Sequence, residues 1–173
     1  MKGNAQILLV AFGNASRRDD GVAFHILQRL AARLGASEEL PDEQETKLLG
    51  GRLTLVRLHQ LTPELAEDLQ PYGIVIVIDA HVDGVGWDAV HWREIKPTLT
   101  PSMVSHHLSP ASLLALCETL YDHRPRGYAL SVLGTDFDFG QELSPGTAAR
   151  ANEAVEQLLR FLAQEGIEGV GIR

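Results

Sequence analysis

The sequence predicts an α/β fold in which one mainly parallel sheet of about five strands is covered by helices on both faces. Short apolar runs alternate along the chain with longer stretches whose apolar residues recur every three or four positions. The run at residues 73–78 contains five consecutive β-branched residues, which indicates a central parallel strand buried on both faces. The chain has 173 residues, 45% of them hydrophobic, so we expect a single domain spanning residues 1–173.

The predicted strands are short runs of mainly apolar side chains bounded by turn residues. They are residues 6–12, 52–58, 73–78, 89–95 and 127–133. Because residues 89–95 interrupt the alternation of strands and helices, we expect that strand to be antiparallel and near an edge. The stretch between the first helix and the second strand, residues 35–51, has several charges and no apolar period, which predicts a surface loop.

Each predicted helix combines an apolar stripe with a start signal. The first spans residues 20–34, and Asp19 and Asp20 stand at its entrance, where carboxylates meet free N–H groups. A hydroxyl residue followed by proline predicts three further helix starts, at Thr62, Ser109 and Ser144.

Composition excludes several classes of function. The net charge is −8, from 23 acidic and 15 basic residues, which argues against nucleic acids and anionic membranes as partners. Cys117 is the single cysteine, so an intrachain disulfide and a multi-cysteine metal site are excluded. No apolar run reaches the roughly 18 residues of a membrane span. We therefore expect a cytoplasmic protein.

Polar residues follow two of the predicted strands. If the sheet is parallel, the ends of these strands lie at the same edge. Asp19 and Asp20 follow the first strand, and Asp79 ends the central one. His106, in the loop before a helix, can reach that edge. Two carboxylates and one imidazole suit a divalent ion such as zinc, nickel, cobalt or manganese, with positions left open for water or substrate.

Each of these residues also has a structural interpretation. The acid pair suits a helix cap, Asp79 suits a turn, and His106 and its neighbour His107 suit an exposed surface. Their convergence from three separate loops favours a site. His81 and His59 are weaker candidates for supporting that site.

Other chemistries have little support. Cys117 lies among leucines and is predicted to be a small core residue. The chain has no Gly-x-Ser-x-Gly elbow. The glycines of a dinucleotide or phosphate loop do not follow Gly13-Asn14.

Four segments in order resemble the motifs of the hydrogenase maturation proteases, endopeptidases specific for nickel–iron hydrogenases. They are Gly13-Asn14 with Asp19-Asp20-Gly21-Val22, the strand ending in Asp79-Ala80, the segment from Ser105 to Pro110, and the segment from Gly134 to Pro145. The resemblance covers nearly the whole chain. It implies a three-layer α/β/α sandwich and removal of a C-terminal extension from the hydrogenase large-subunit precursor after nickel insertion.

The resemblance also implies roles for individual residues. Asp20, Asp79 and His106 would contact a nickel ion presented by the substrate and carry the cleavage, with His107 as an alternative to His106. No permanent cofactor is expected. Asp19 would be the helix cap, while Gly13 and Asn14 would shape the loop against the substrate.

The chain departs from the family at the end of the second strand, where many members have an aspartate and glycines. Here the residues are His59-Gln60-Leu61-Thr62-Pro63-Glu64, so a role for that aspartate cannot be transferred. Whether Asp20 or Asp79 acts as the base stays open. The alternative function is a non-catalytic metal-binding or chaperone module for hydrogenase assembly, which would use the same residues.

Overall fold

The structure is a computed structural model that describes residues 5–100 and 108–167. Within these residues one sheet of six strands is formed. The strands are β1 (Ile7–Phe12), β2 (Thr46–Leu48), β3 (Leu53–Leu58), β4 (Ile74–His81), β5 (Val90–Ile95) and β6 (Arg126–Leu133). The helices are α1 (Val22–Arg33), α2 (Leu65–Asp68), α3 (Pro110–Tyr121) and α4 (Pro145–Gln164). Two 3-10 turns, Arg18–Gly21 and Leu49–Gly51, precede α1 and β3.

The strand order is β2-β3-β1-β4-β6-β5. The four inner strands are parallel, and the edge strands β2 and β5 are antiparallel to their neighbours. The mainly parallel sheet and the antiparallel edge strand near residues 89–95 are therefore confirmed. None of the helices within the described ranges combines the length and hydrophobicity that a membrane span needs.

The helices cover both faces of the sheet and produce the predicted three layers. Apolar side chains of α1 and α4 pack on one face, and those of α2 and α3 pack on the other. Along β4 the side chains alternate between the two faces, as the pleat requires. Ile76 contributes to the α1 and α4 side, whereas Val75 and Val77 contribute to the α2 and α3 side.

The number of strands differs from the prediction because β2 lies in residues 35–51, which were predicted to be a loop. Its three residues are half-buried or exposed and form no apolar run. The strand is held by antiparallel backbone pairing with β3, and such pairing leaves no pattern in the side chains.

Three element boundaries also differ from the sequence prediction. The first helix begins at Val22, after a separate 3-10 turn. Thr62 does not cap the second helix, which begins at Leu65 and is flanked by Glu64. The central strand continues to His81, so Asp79 lies within it. The start of α3 is as predicted, because the Ser109 hydroxyl accepts a hydrogen bond from the Ser112 N–H at 3.1 Å.

Candidate active site

Asp20 and Asp79 come together at the carboxyl edge of the sheet. β1 and β4 are parallel neighbours, with Ala11 opposite Ile78, so the loop after β1 and the residue after Ile78 emerge side by side. The 3-10 turn that carries Asp20 packs against β4. The negative charge of Asp20 contributes to a raised pKa at Asp79, so the two carboxylates interact electrostatically.

His106 and His107 lie outside the described residues, and the third predicted contact stays a prediction. Within residues 5–100 and 108–167, no group of three or more His, Cys, Asp or Glu side chains is placed to hold a metal ion. The described part of the site therefore supplies two carboxylates. Their oxygen atoms suit a divalent cation that receives its other ligands from elsewhere.

Gly13 and Asn14 shape the loop that holds Asp20. The Asn14 N–H donates a hydrogen bond to Oδ2 of Asp20 at 3.0 Å, and Oδ1 of Asn14 accepts one from the Ser16 N–H at 2.9 Å. Gly13 has φ +151°, and a Cβ there would lie 2.1 Å from the carbonyl oxygen of Asp20. Only glycine allows this close approach of the two backbone segments. A direct contact of Gly13 and Asn14 with substrate stays a prediction.

Asp79 is half-buried and has a mixed environment. It shares the sheet face of Val75 and Val77 and is paired in register with Ser131 of β6. Burial raises the pKa of Asp79 to about 6, and the charge of Asp20 acts in the same direction. A hydrogen bond with the Ser131 hydroxyl and the charge of Arg93 oppose the rise. Asp79 therefore changes its protonation close to neutral pH.

His81 lies next to Asp79 but is connected to it through Ser131. The His81 Nδ1 is 2.9 Å from the Ser131 Oγ, and its ring packs edge-on against Trp87, with centroids 5.3 Å apart. Burial lowers the pKa of His81, and the nearby His91 lowers it further. His81 thus contacts the same hydroxyl that forms a hydrogen bond with Asp79. A supporting role for His81 stays a prediction.

Asp19 is not the helix cap that the sequence predicted. Neither the 3-10 turn nor α1 has a side-chain cap, and Asp19 is completely buried. Its carboxylate accepts hydrogen bonds from three backbone N–H groups and two hydroxyls at 2.7–2.9 Å, from Thr135, Asp136, Ser144 and Thr147. These five donor groups belong to four residues, which lie between the end of β6 and the first turn of α4.

The electrostatics of Asp19 follow from these donors. Burial alone would raise the pKa of Asp19, but hydrogen bonds from the Ser144 hydroxyl and from backbone N–H groups outweigh burial and hold it well below its usual range. The sequence offered one indication of this partner, since residues 134–145 belong to the segments that resemble the protease family. It did not indicate which acid would meet that segment.

Comparisons with known proteins bear on the fold of the chain. No family model matches the chain, and no curated protein matches it. Solved structures do match. The hydrogenase maturating endopeptidase HybD from E. coli is 19% identical, with a TM-score of 0.65 over 93% of this chain and 94% of that one. The chain has the fold of the hydrogenase maturation endopeptidases.

Two further structures extend the same likeness to archaeal proteins. The [NiFe] hydrogenase maturation protease HycI from Thermococcus kodakarensis is 15% identical, with a TM-score of 0.61 over 92% of this chain and 93% of that one. A hydrogenase 2 maturation peptidase from a Thaumarchaeota archaeon is 18% identical, with a TM-score of 0.59 over 91% and 97%. The resemblance to this family that the sequence motifs indicated is confirmed at the level of the fold.

Proposed function

We propose that this chain is an endopeptidase that removes the C-terminal extension of a nickel–iron hydrogenase large-subunit precursor. The observation that carries the proposal is the meeting of Asp20 and Asp79 at the carboxyl edge of the sheet, where open α/β sheets bind their ligands. The fold shared with solved hydrogenase maturation endopeptidases over more than 90% of both chains supports it. The proposed location is the cytoplasm.

In this proposal the metal belongs to the substrate. Asp20, Asp79 and His106 contact a nickel ion that the precursor already carries, and the chain needs no permanent cofactor. Two carboxylates and one imidazole leave open positions on such an ion. Cleavage therefore depends on correct metal loading, because the metal-free precursor lacks the group that these residues bind.

Of the two acids, Asp79 is the better candidate for accepting a proton from the attacking water. Its pKa of about 6 leaves it ionised at neutral pH and basic enough to take a proton. One oxygen of Asp20 is already engaged by the Asn14 N–H. We assign Asp20 to substrate binding and Asp79 to proton transfer. Ser131 and Arg93 support the ionised form of Asp79.

The test uses the purified chain and a precursor prepared with and without nickel. Mass spectrometry of the precursor before and after incubation is expected to show loss of a C-terminal peptide from the nickel-loaded form only. Cleavage of the metal-free form at an equal rate would refute metal gating. Asp20→Asn, Asp79→Asn and His106→Ala should each abolish processing, and the exposed Asp138→Asn should not. Full activity in the first three variants would refute the site assignment.

The competing function is a module that binds the precursor without cutting it. The same experiment separates the two functions, because a binder forms a complex and leaves the precursor mass unchanged.

A further inference from the structure

We propose that Asp19 is a positioning residue, which holds the Asp20 carboxylate in place by tying the loop after β1 to residues 134–147. The inference relies on the proposed function only for the role of Asp20. The two acids are neighbours in one 3-10 turn but have different surroundings. Asp19 is 0% exposed, whereas Asp20 is half-buried and accepts the Asn14 N–H.

Hydrogen-bond donors from residues 135–147 surround the Asp19 carboxylate. Its Oδ1 accepts the Ser144 N–H at 2.8 Å. Its Oδ2 accepts the N–H groups of Thr135 and Asp136, each at 2.9 Å. The same oxygen accepts the hydroxyls of Ser144 at 2.7 Å and Thr147 at 2.9 Å. An ionised carboxylate only accepts hydrogen bonds, whereas an amide or a protonated acid would direct a hydrogen at one of these donors.

Backbone hydrogen bonds join the same two segments. The Asp19 N–H donates to the carbonyl of Asp136 at 3.0 Å, and the Arg18 N–H donates to the carbonyl of Gly140 at 2.9 Å. In the opposite direction, the Gly140 N–H donates to the carbonyl of Ser16 at 3.0 Å. Residues 134–147 therefore also hold the loop at Ser16 and Arg18, before Asp19.

Packing is also close at this contact. A Cβ on Gly134 would lie 2.9 Å from the Cβ of Asp19. The residue that follows β6 therefore packs directly against Asp19. The loop that carries Asp20 is thus fastened to residues 134–147 by side chain, backbone and packing together. Loss of the Asp19 contacts would free this loop and the bond between Asn14 and Asp20 within it.

The test compares three variants. Asp19→Asn replaces the acceptor itself. Thr147→Val removes one donor to Asp19 while leaving residues 13–21 unchanged, and it keeps the inference testable if Asp19→Asn does not fold. The matched control is Asp138→Asn. Asp138 is an exposed acid of the same segment and is not one of the residues that donate to the Asp19 carboxylate.

The readout is amide hydrogen exchange at Asn14 and at Ile76, measured by NMR. Asn14 exchanges through local opening of the loop, whereas Ile76 in the central strand needs global unfolding. We expect Asn14 to exchange at least tenfold faster in Thr147→Val, and less than twofold faster in Asp138→Asn. A purely structural role would accelerate Ile76 alone. An Asn14 rate within twofold of the wild type would therefore overturn the inference.

Precursor cleavage gives a second, separable readout. Because Asp20 is assigned to substrate binding, its displacement in Thr147→Val is expected to raise KM at least fivefold, with kcat within twofold of the wild type. An unchanged KM would count against the inference. If the wild-type chain does not cut the precursor at all, the proposed function fails, while the exchange experiment still decides the role of Asp19.

Discussion

The hydroxyl of Thr147 donates a hydrogen bond of 2.9 Å to the carboxylate of Asp19, 128 positions earlier in the chain. This bond joins the turn after β1 to the first turn of α4. The two adjacent acids therefore have different surroundings, because Asp19 is buried among hydrogen-bond donors whereas Asp20 is half-buried at the edge of the sheet. The acids of this edge should therefore respond differently to mutation.

Asp19→Asn is expected to lower the free energy of unfolding by about 3 kcal/mol or more, because the amide group opposes buried donors that each cost about 1–3 kcal/mol when unsatisfied. Urea unfolding followed by circular dichroism measures this. The surface variant Asp138→Asn should stay within about 0.5 kcal/mol of the wild type. Equal stability of Asp19→Asn and the wild type would contradict the described network.

The stability that Asp19 contributes should depend on pH. Its pKa is held well below the usual range in the folded state, so its contribution is complete above the ordinary carboxyl pKa of about 4. The contribution is lost as the pH falls below that value toward the folded-state pKa. Unfolding free energies measured between pH 2 and 7 should therefore fall less steeply with acid in Asp19→Asn. Parallel curves for the two proteins would exclude Asp19 as a source of the acid sensitivity.

Asp79→Asn should have the opposite effect on stability. The folded-state pKa of about 6 lies above the unfolded value of about 4, so ionising Asp79 above pH 6 costs folding free energy. At pH 7.5 the free energy of unfolding of the neutral variant is expected to be about 1–2 kcal/mol higher than that of the wild type. The variant is also expected to lose cleavage activity, because active sites often sacrifice stability for function. Thermal unfolding of Asp79→Asn and the wild type would test this. The control is Glu153→Gln, which removes an exposed charge on α4. A destabilised Asp79→Asn would contradict the raised pKa.

Cleavage of nickel-loaded precursor should depend on ionised Asp79. We expect kcat/KM to fall about tenfold per pH unit below about pH 6 and to level off above it. Arg93 lowers the pKa of Asp79, so Arg93→Met should move the midpoint to higher pH. An identical pH profile in Arg93→Met would assign the titration to another group, such as one on the substrate.

Gly13→Ala should disrupt the loop more than an ordinary glycine substitution does. The added Cβ would meet the Asp20 carbonyl oxygen at 2.1 Å, whereas Gly35, also at positive φ, has open space around it. We expect the free energy of unfolding to fall by about 3 kcal/mol in Gly13→Ala and by about 1 kcal/mol in Gly35→Ala. Chemical unfolding of both variants measures the difference, and similar losses would show that backbone strain alone determines the cost.

Sequence pattern predicted those parts of the fold whose cause is local. The β-branched run predicted a central strand at residues 73–78, which the structure places at Ile74–His81, and the Ser-Pro start predicted α3 at Pro110. It did not predict β2, because Thr46–Leu48 pairs through its backbone. It also placed Asp79 at the end of its strand, because side-chain pattern does not reveal that the pairing with β6 continues to His81.

The sequence by itself determined that acids follow β1 and lie in β4, and parallel pairing then brings Asp20 and Asp79 to one edge. Only the tertiary structure decided that Asp19 is completely buried among hydrogen-bond donors while Asp20 stays half-buried. Asp19 and Asp20 have the same chemistry and adjacent positions, so nothing local separates them. The difference arises because the donors to Asp19 come from Thr135 to Thr147, more than 110 positions away, and folding brings that segment against only one of the two carboxylates.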